Sequence, residues 1–124
     1  MDQSTLVSSG QSLIRVMDET GLSPRIAMWV HNSETDAWKL WIVPPRGLDD
    51  KLEFYRTVSE LIARNRDRLP GIDASDTEPV PDSHPAMKGL GRVVRVTGVG
   101  AAHFPGNLFD GFYLPDGIVL RSAL

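Results

Sequence analysis

The segment spanning residues 25–43 constrains this chain more than any other. Two runs rich in branched and aromatic residues, 25–32 and 37–43, flank Ser33-Glu34-Thr35-Asp36, whose residues favour turns. The pattern predicts a β-hairpin. With the turn centred on Glu34 and Thr35, His31 faces Trp38, Trp29 faces Leu40 and Met28 faces Trp41. Successive side chains of a strand point to opposite faces. One face then carries Ala27, Trp29, His31, Trp38, Leu40 and Ile42; the other carries Ile26, Met28, Val30, Lys39, Trp41 and Val43. Both faces are largely apolar. A sheet with one wet face alternates apolar and polar residues, so this hairpin is expected to be covered on both sides by the chain itself, or on one side by a partner. Pro44-Pro45 ends it, because neither proline can donate to a ladder.

The surrounding chain supplies candidates for that cover. Leu6, Leu13, Ile14 and Met17 recur at helical spacing within residues 4–20, and Gly21 and Pro24 stop that helix. Gly10 and the nearby serines weaken its first turns and move the expected start toward Ser9. A second helix is expected over 50–68, capped by Asp49 or Asp50. Leu52, Tyr55, Val58, Leu61 and Ile62 form its apolar stripe, bordered by Phe54, and Pro70-Gly71 ends it. Residues 71–82 read as a polar loop with a short edge strand near Val80. Ser83 then caps a short helix reaching Leu90.

Strands are expected at 92–99, 101–104, 108–114 and 118–121, separated by turns at Pro105-Gly106-Asn107 and Pro115-Asp116-Gly117. The prediction is a single α+β domain over residues 1–124. An antiparallel sheet of about four to six strands packs with two main helices, in the order α-β-β-α-(short α)-β-β-β. The helix at 50–68 is placed on one face and the first helix on the other, or on part of it.

Composition narrows the function classes. The chain has no cysteine, which removes disulfides, thiolate nucleophiles and cysteine-ligated zinc. That absence fits a reducing compartment and a cytoplasmic location. The net charge of −3 lacks the basic excess usual in nucleic-acid binders. Met1-Asp2-Gln3-Ser4-Thr5 lacks the basic start and apolar run of a signal peptide, and no apolar stretch is long enough to span a bilayer.

No motif assigns a chemistry. Gly98-Val99-Gly100 is not continued by a third glycine, since position 103 is His, and no helix pattern follows. His31, His84 and His103 show no ligand spacing, so no metal is assigned, although distant residues such as Asp76 or Asp110 can complete such sites. Ser83-His84 is a dipeptide rather than a nucleophile with its base. The pairs Asp18-Glu19 and Asp49-Asp50 fall at helix ends. No catalytic residue and no cofactor is assigned.

Three readings follow. The leading one is a non-enzymatic protein-interaction module that binds a protein partner or itself, the latter as a homodimer. Its surface candidates are Trp29, Trp38, Trp41 and Met28, because exposed tryptophans act as interface anchors. The second is a small enzyme or ligand-binding domain with a pocket near His103, Asp110 and Tyr113. The third is nucleic-acid binding through Arg64, Arg66 and Arg68 with Arg92 and Arg95, with Phe104 or Tyr113 stacking on a base.

The segments Ala27-Met28-Trp29-Val30, Ala37-Trp38-Lys39-Leu40-Trp41-Ile42 and Phe54-Tyr55-Arg56 form a pattern with two C-terminal runs. These are Asn107-Leu108-Phe109-Asp110-Gly111-Phe112-Tyr113 and Ile118-Val119-Leu120-Arg121. Over most of the chain this layout resembles a family of small bacterial α+β proteins with an aromatic hairpin between two helices and no known activity. The resemblance implies a fold and supplies no catalytic residue. The loop at 71–82 carries more prolines and acids than that pattern.

Overall fold

A computed structural model describes residues 2–123. Helix α1 (Gln3–Glu19) starts earlier than its serines suggest, because the Asp2 carboxylate accepts the Thr5 backbone N–H at 2.8 Å and caps it. It ends in a Schellman arrangement: Leu22 N–H donates to the Met17 carbonyl and Gly21 N–H to that of Asp18, with Gly21 at φ 75°. Gly10 does not break the helix. It is buried where the backbone comes close to Leu120 and the Trp29 indole, which leaves no room for a side chain.

Strands β1 (Ile26–Asn32) and β2 (Ala37–Val43) pair in the expected register, with His31 opposite Trp38, Trp29 opposite Leu40 and Met28 opposite Trp41. Asn32 Oδ1 accepts the Glu34 N–H at 2.9 Å inside the turn. Helix α2 (Lys51–Arg64) is capped by Asp50 and is one turn shorter than expected, so Arg66 and Arg68 lie beyond it. A 3-10 turn at Ala74–Asp76 leads into β3 (Thr77–Pro79), which runs parallel to β2. The intervening helix supplies the crossover that a parallel pair requires. The sheet is therefore mixed rather than wholly antiparallel.

Helix α3 (Pro85–Val93) takes in residues that read as the start of a strand. Ala86, Met87 and Leu90 are buried on one side of it, and that packing outweighs the weak helix preference of Gly89, Gly91 and Val93. Among the described residues, one isolated bridge, Val96 to Ser122, remains of the strand expected at 92–99. Strands β4 (Ala102–Phe104) and β7 (Gly117–Ser122) complete a five-stranded sheet of order β3-β2-β1-β7-β4. Residues 108–114 divide into β5 (Asn107–Phe109) and β6 (Phe112–Leu114), a separate hairpin. Asp110 at φ 53° and Gly111 at φ 81° form its turn, which needs two left-handed residues.

The α+β class holds, and the sheet is buried on both faces. Ala27, Trp29, Leu40, Ile42, Ile118 and Leu120 pack with α1 and α2 on one side. Ile26, Met28, Val30, Val43 and Val119 pack on the other with α3 and the β5–β6 hairpin. Both main helices thus share one face, contrary to the expected split. The second face is closed by the short helix and the hairpin. Trp29 Nε1 donates to the Leu6 carbonyl at 2.8 Å, so the buried indole has its partner. Arg121, only 8% exposed, ties the last strand to α1 through two 2.7 Å contacts with the Asp18 carboxylate. No helix among the described residues is long and apolar enough to cross a membrane.

Candidate functional site

The four residues proposed from sequence for an interaction surface separate. Met28 and Trp29 are core residues, and the sheet turns them to opposite sides. Trp38 is half-buried on the α1 side, with its ring 4.8 Å from that of His31. Trp41 is half-buried on the α3 side. The apolar surplus on the hairpin is therefore spent mainly inside the molecule.

His103, Asp110 and Tyr113 do not share a pocket. His103 pairs with Ile118 and so faces the α1 side of the sheet, where it borders a shallow cleft with Trp38 and Asp116. Asp110 belongs to the hairpin turn on the other side and pairs with Arg92 at 3.2 Å. The hydroxyl end of the exposed Tyr113 ring lies over Gly106. The arginines are also divided. Arg66 pairs with Asp73 and Arg68 with Glu19, on the α2 side. Arg92 lies in the last turn of α3 and Arg95 follows it, and α3 packs on the opposite face. They form no continuous basic strip.

Two arrangements that sequence reasoning missed remain. The first is an aromatic ridge beginning at Trp41. His84 meets the Trp41 ring edge-on at 5.7 Å and the Phe112 ring at 4.6 Å. His84 is held in place because its Nδ1 accepts the Ala86 N–H at 3.1 Å and caps α3, the role expected of Ser83. An Nδ1 that accepts leaves the proton of the neutral ring on Nε2, as a donor. Phe112 leads onto the hairpin, where it is 39% exposed, Tyr113 60% and Leu108 64%. Leu108 and Tyr113 are cross-strand partners and so share the hairpin's outer face.

The second is a cleft at the end of the sheet where β1 begins and β2 and β3 stop. It has a volume of about 630 Å³ and adjoins another of about 510 Å³, the two sharing Arg25, Arg46 and Asp82. Lys51, from the first turn of α2, and Lys88, from α3, add two more cations. Asp49 and Asp82 are the carboxylates, so positive charge is in excess in a chain of net −3. Pro44, Pro79, Val80 and Pro81 give an apolar floor.

Arg25 is fixed by its Nε donating to the Pro44 carbonyl at 3.0 Å and by its Nη1 to Asp82 at 2.8 Å. That hydrogen bond, followed by the Arg25 charge, holds the Asp82 carboxyl below its ordinary range. The charges of Arg46 and Lys88 act the same way to a smaller extent, against an opposing effect of burial. Compared with known proteins, the chain matches no family model, no curated protein and no solved structure.

Proposed function

We propose that this domain is a non-enzymatic protein-interaction module of the bacterial cytoplasm that associates with a second copy of itself. The contact is the ridge from Trp41 through His84 to Phe112, together with the outer face of the β5–β6 hairpin. The observation that carries the reading is the gathering of exposed apolar side chains on a hairpin whose two strands pair only with each other. The hairpin's inner face packs on α3, while its outer strand edges stay unpaired among the described residues. A copy joined edge to edge across a two-fold axis gives a four-stranded sheet whose outer face carries Leu108 and Tyr113 of both copies, with Phe112 and His84 beneath the joint. The absence of cysteine and the resemblance to a small bacterial family support the location.

The area sets the strength. Leu108 and Tyr113 on the outer face and Phe112 on the inner one together leave about 300 Å² open at the usual side-chain areas. A stable complex hides about 800 Å² per partner, so the association is weak and concentration-dependent. Light scattering after gel filtration, from about 10 µM to about 1 mM, tests it. The mean mass is expected to climb from one chain toward two. The Phe112→Ser, Tyr113→Ser double variant is expected to keep its circular dichroism spectrum and stay at one chain. A wild-type mass fixed at one chain across the series overturns the proposal.

A further inference from the structure

We infer that the cleft between Arg25, Arg46, Lys51 and Lys88 is a binding site for a small soluble organic phosphate, with the phosphoryl group on the cations and the organic part on the proline floor. The site lies apart from the self-association ridge and does not depend on it.

Three observations carry this. The first is unspent donors at a fixed position. A guanidinium has five N–H donors, and Arg25 uses Nε on Pro44 and Nη1 on Asp82. Its side chain is 21% exposed, and its Nη2 has no protein partner among the described residues. A planar fork with free donors matches the paired oxygens of a phosphoryl group. Holding it against a main-chain carbonyl and a carboxylate removes most of its freedom before a ligand arrives.

The second is uncompensated charge. Arg66, Arg68, Arg92 and Arg121 each meet a carboxylate, whereas Arg15, Arg56, Arg64 and Arg95 stand singly without one among the described residues. Arg46, Lys51 and Lys88 have no carboxylate within ion-pair distance among the described residues; Arg46 borders both adjoining clefts, Lys51 the larger and Lys88 the smaller. Asp82 is already engaged by Arg25, which leaves Asp49, among the described residues, as the one free carboxylate of the larger cleft against Arg46 and Lys51. Gathering cations costs electrostatic free energy unless an anion completes the cluster. The third is size and lining. A volume of about 630 Å³ lies in the range of small-molecule sites, about 300–1,000 Å³. The floor of Pro44, Pro79, Val80 and Pro81 offers rigid apolar contact to an organic group.

Calorimetric titration of the whole chain with phenyl phosphate, and separately with inorganic phosphate, tests the inference. Phenyl phosphate is expected to bind saturably and more tightly than inorganic phosphate, with affinity falling as salt rises. Arg25 is left intact because it joins two segments. The Arg46→Gln, Lys88→Gln double variant is expected to lose affinity by about tenfold or more. Arg64→Gln, a change outside the cleft, is expected to leave affinity unchanged. Absence of saturable binding of either probe, or an equal loss in Arg64→Gln, overturns the site. Inorganic phosphate binding as tightly as the phenyl ester overturns the role of the proline floor. Sedimentation with vesicles containing phosphatidic acid, in a protein that ignores phenyl phosphate, overturns the soluble ligand in favour of a lipid headgroup.

Discussion

Gly89 is the residue that lets the hairpin lie on α3, and replacing it with alanine tests that packing. Alanine is the better helix former by about 1 kcal/mol, so on an open helix surface Gly89→Ala would stabilise the protein. Here a β-carbon at 89 would lie 2.6 Å from the Asp110 nitrogen and 2.7 Å from the Phe109 carbonyl carbon. Those atoms are backbone and cannot rotate away. The turn must retreat by ~0.8 Å to restore ordinary contact.

Overpacking of this kind costs about 1–3 kcal/mol, and Phe109, 5% exposed, gives up part of its burial as the turn lifts. After the helix gain is subtracted, a net loss of about 1–2 kcal/mol is expected. Urea unfolding followed by circular dichroism reads it as a midpoint lowered by about 1 M. The same shift moves Phe112 from His84, so self-association weakens too. A midpoint unchanged or raised would refute the reasoning and show that the hairpin does not rest on Gly89.

Two further perturbations address other contacts. The Arg121 hydrogen bond, against an opposing effect of burial, holds the Asp18 carboxyl below its ordinary range. Its folded value therefore lies under its unfolded one. The pair's stabilisation is complete above about pH 4 and is lost as pH falls through the depressed folded value. Asp18→Asn is expected to cost about 2–4 kcal/mol at neutral pH, since it leaves Arg121 buried without its carboxylate. Urea curves of both chains should converge in acid, and a gap that stays constant would refute the pairing. His84→Ala removes the cap of α3 and is expected to cost about 1 kcal/mol. His84→Asn restores a capping acceptor without the ring, so thermal unfolding should recover while light scattering still shows weakened association.

The hairpin was legible in the sequence because both its ends are marked. Turn residues fix one end and Pro44-Pro45 the other, and the register then follows from counting. Its two apolar faces were legible as well. What covers them was not, because cover is a property of distant segments. Asp110-Gly111 is a strong turn signal hidden inside a continuous apolar stretch, and the run read as one strand. Val93 and Val94 pointed to a strand by local preference, whereas burial of Met87 and Leu90 extends the helix to Val93. Thr77-Glu78-Pro79 is too short to show parallel pairing, which depends on α2 bringing it back beside β2. The cleft was beyond reach for a similar reason. Arg25, Arg46, Lys51 and Lys88 each read alone as a solvated charge, and only the fold brings them to one place.

The position of β7 has a consequence for how the molecule is made. It lies between β1 and β4, although it is the last strand of the sheet in chain order. While the chain is being synthesised, β1 can pair with β2 as soon as both have emerged. Its other edge, with Ile26 to Val30, stays open until residues 117–122 follow. Arg121 must arrive before Asp18 has its partner, across 103 positions. A chain whose sheet is closed by such distant pairings gathers its core late and slowly. The exposed edge of a half-made hairpin is a template for unwanted strand pairing. The interval between the hairpin's appearance and the arrival of β7 is therefore the period in which this protein most needs shielding by the ribosome or a chaperone.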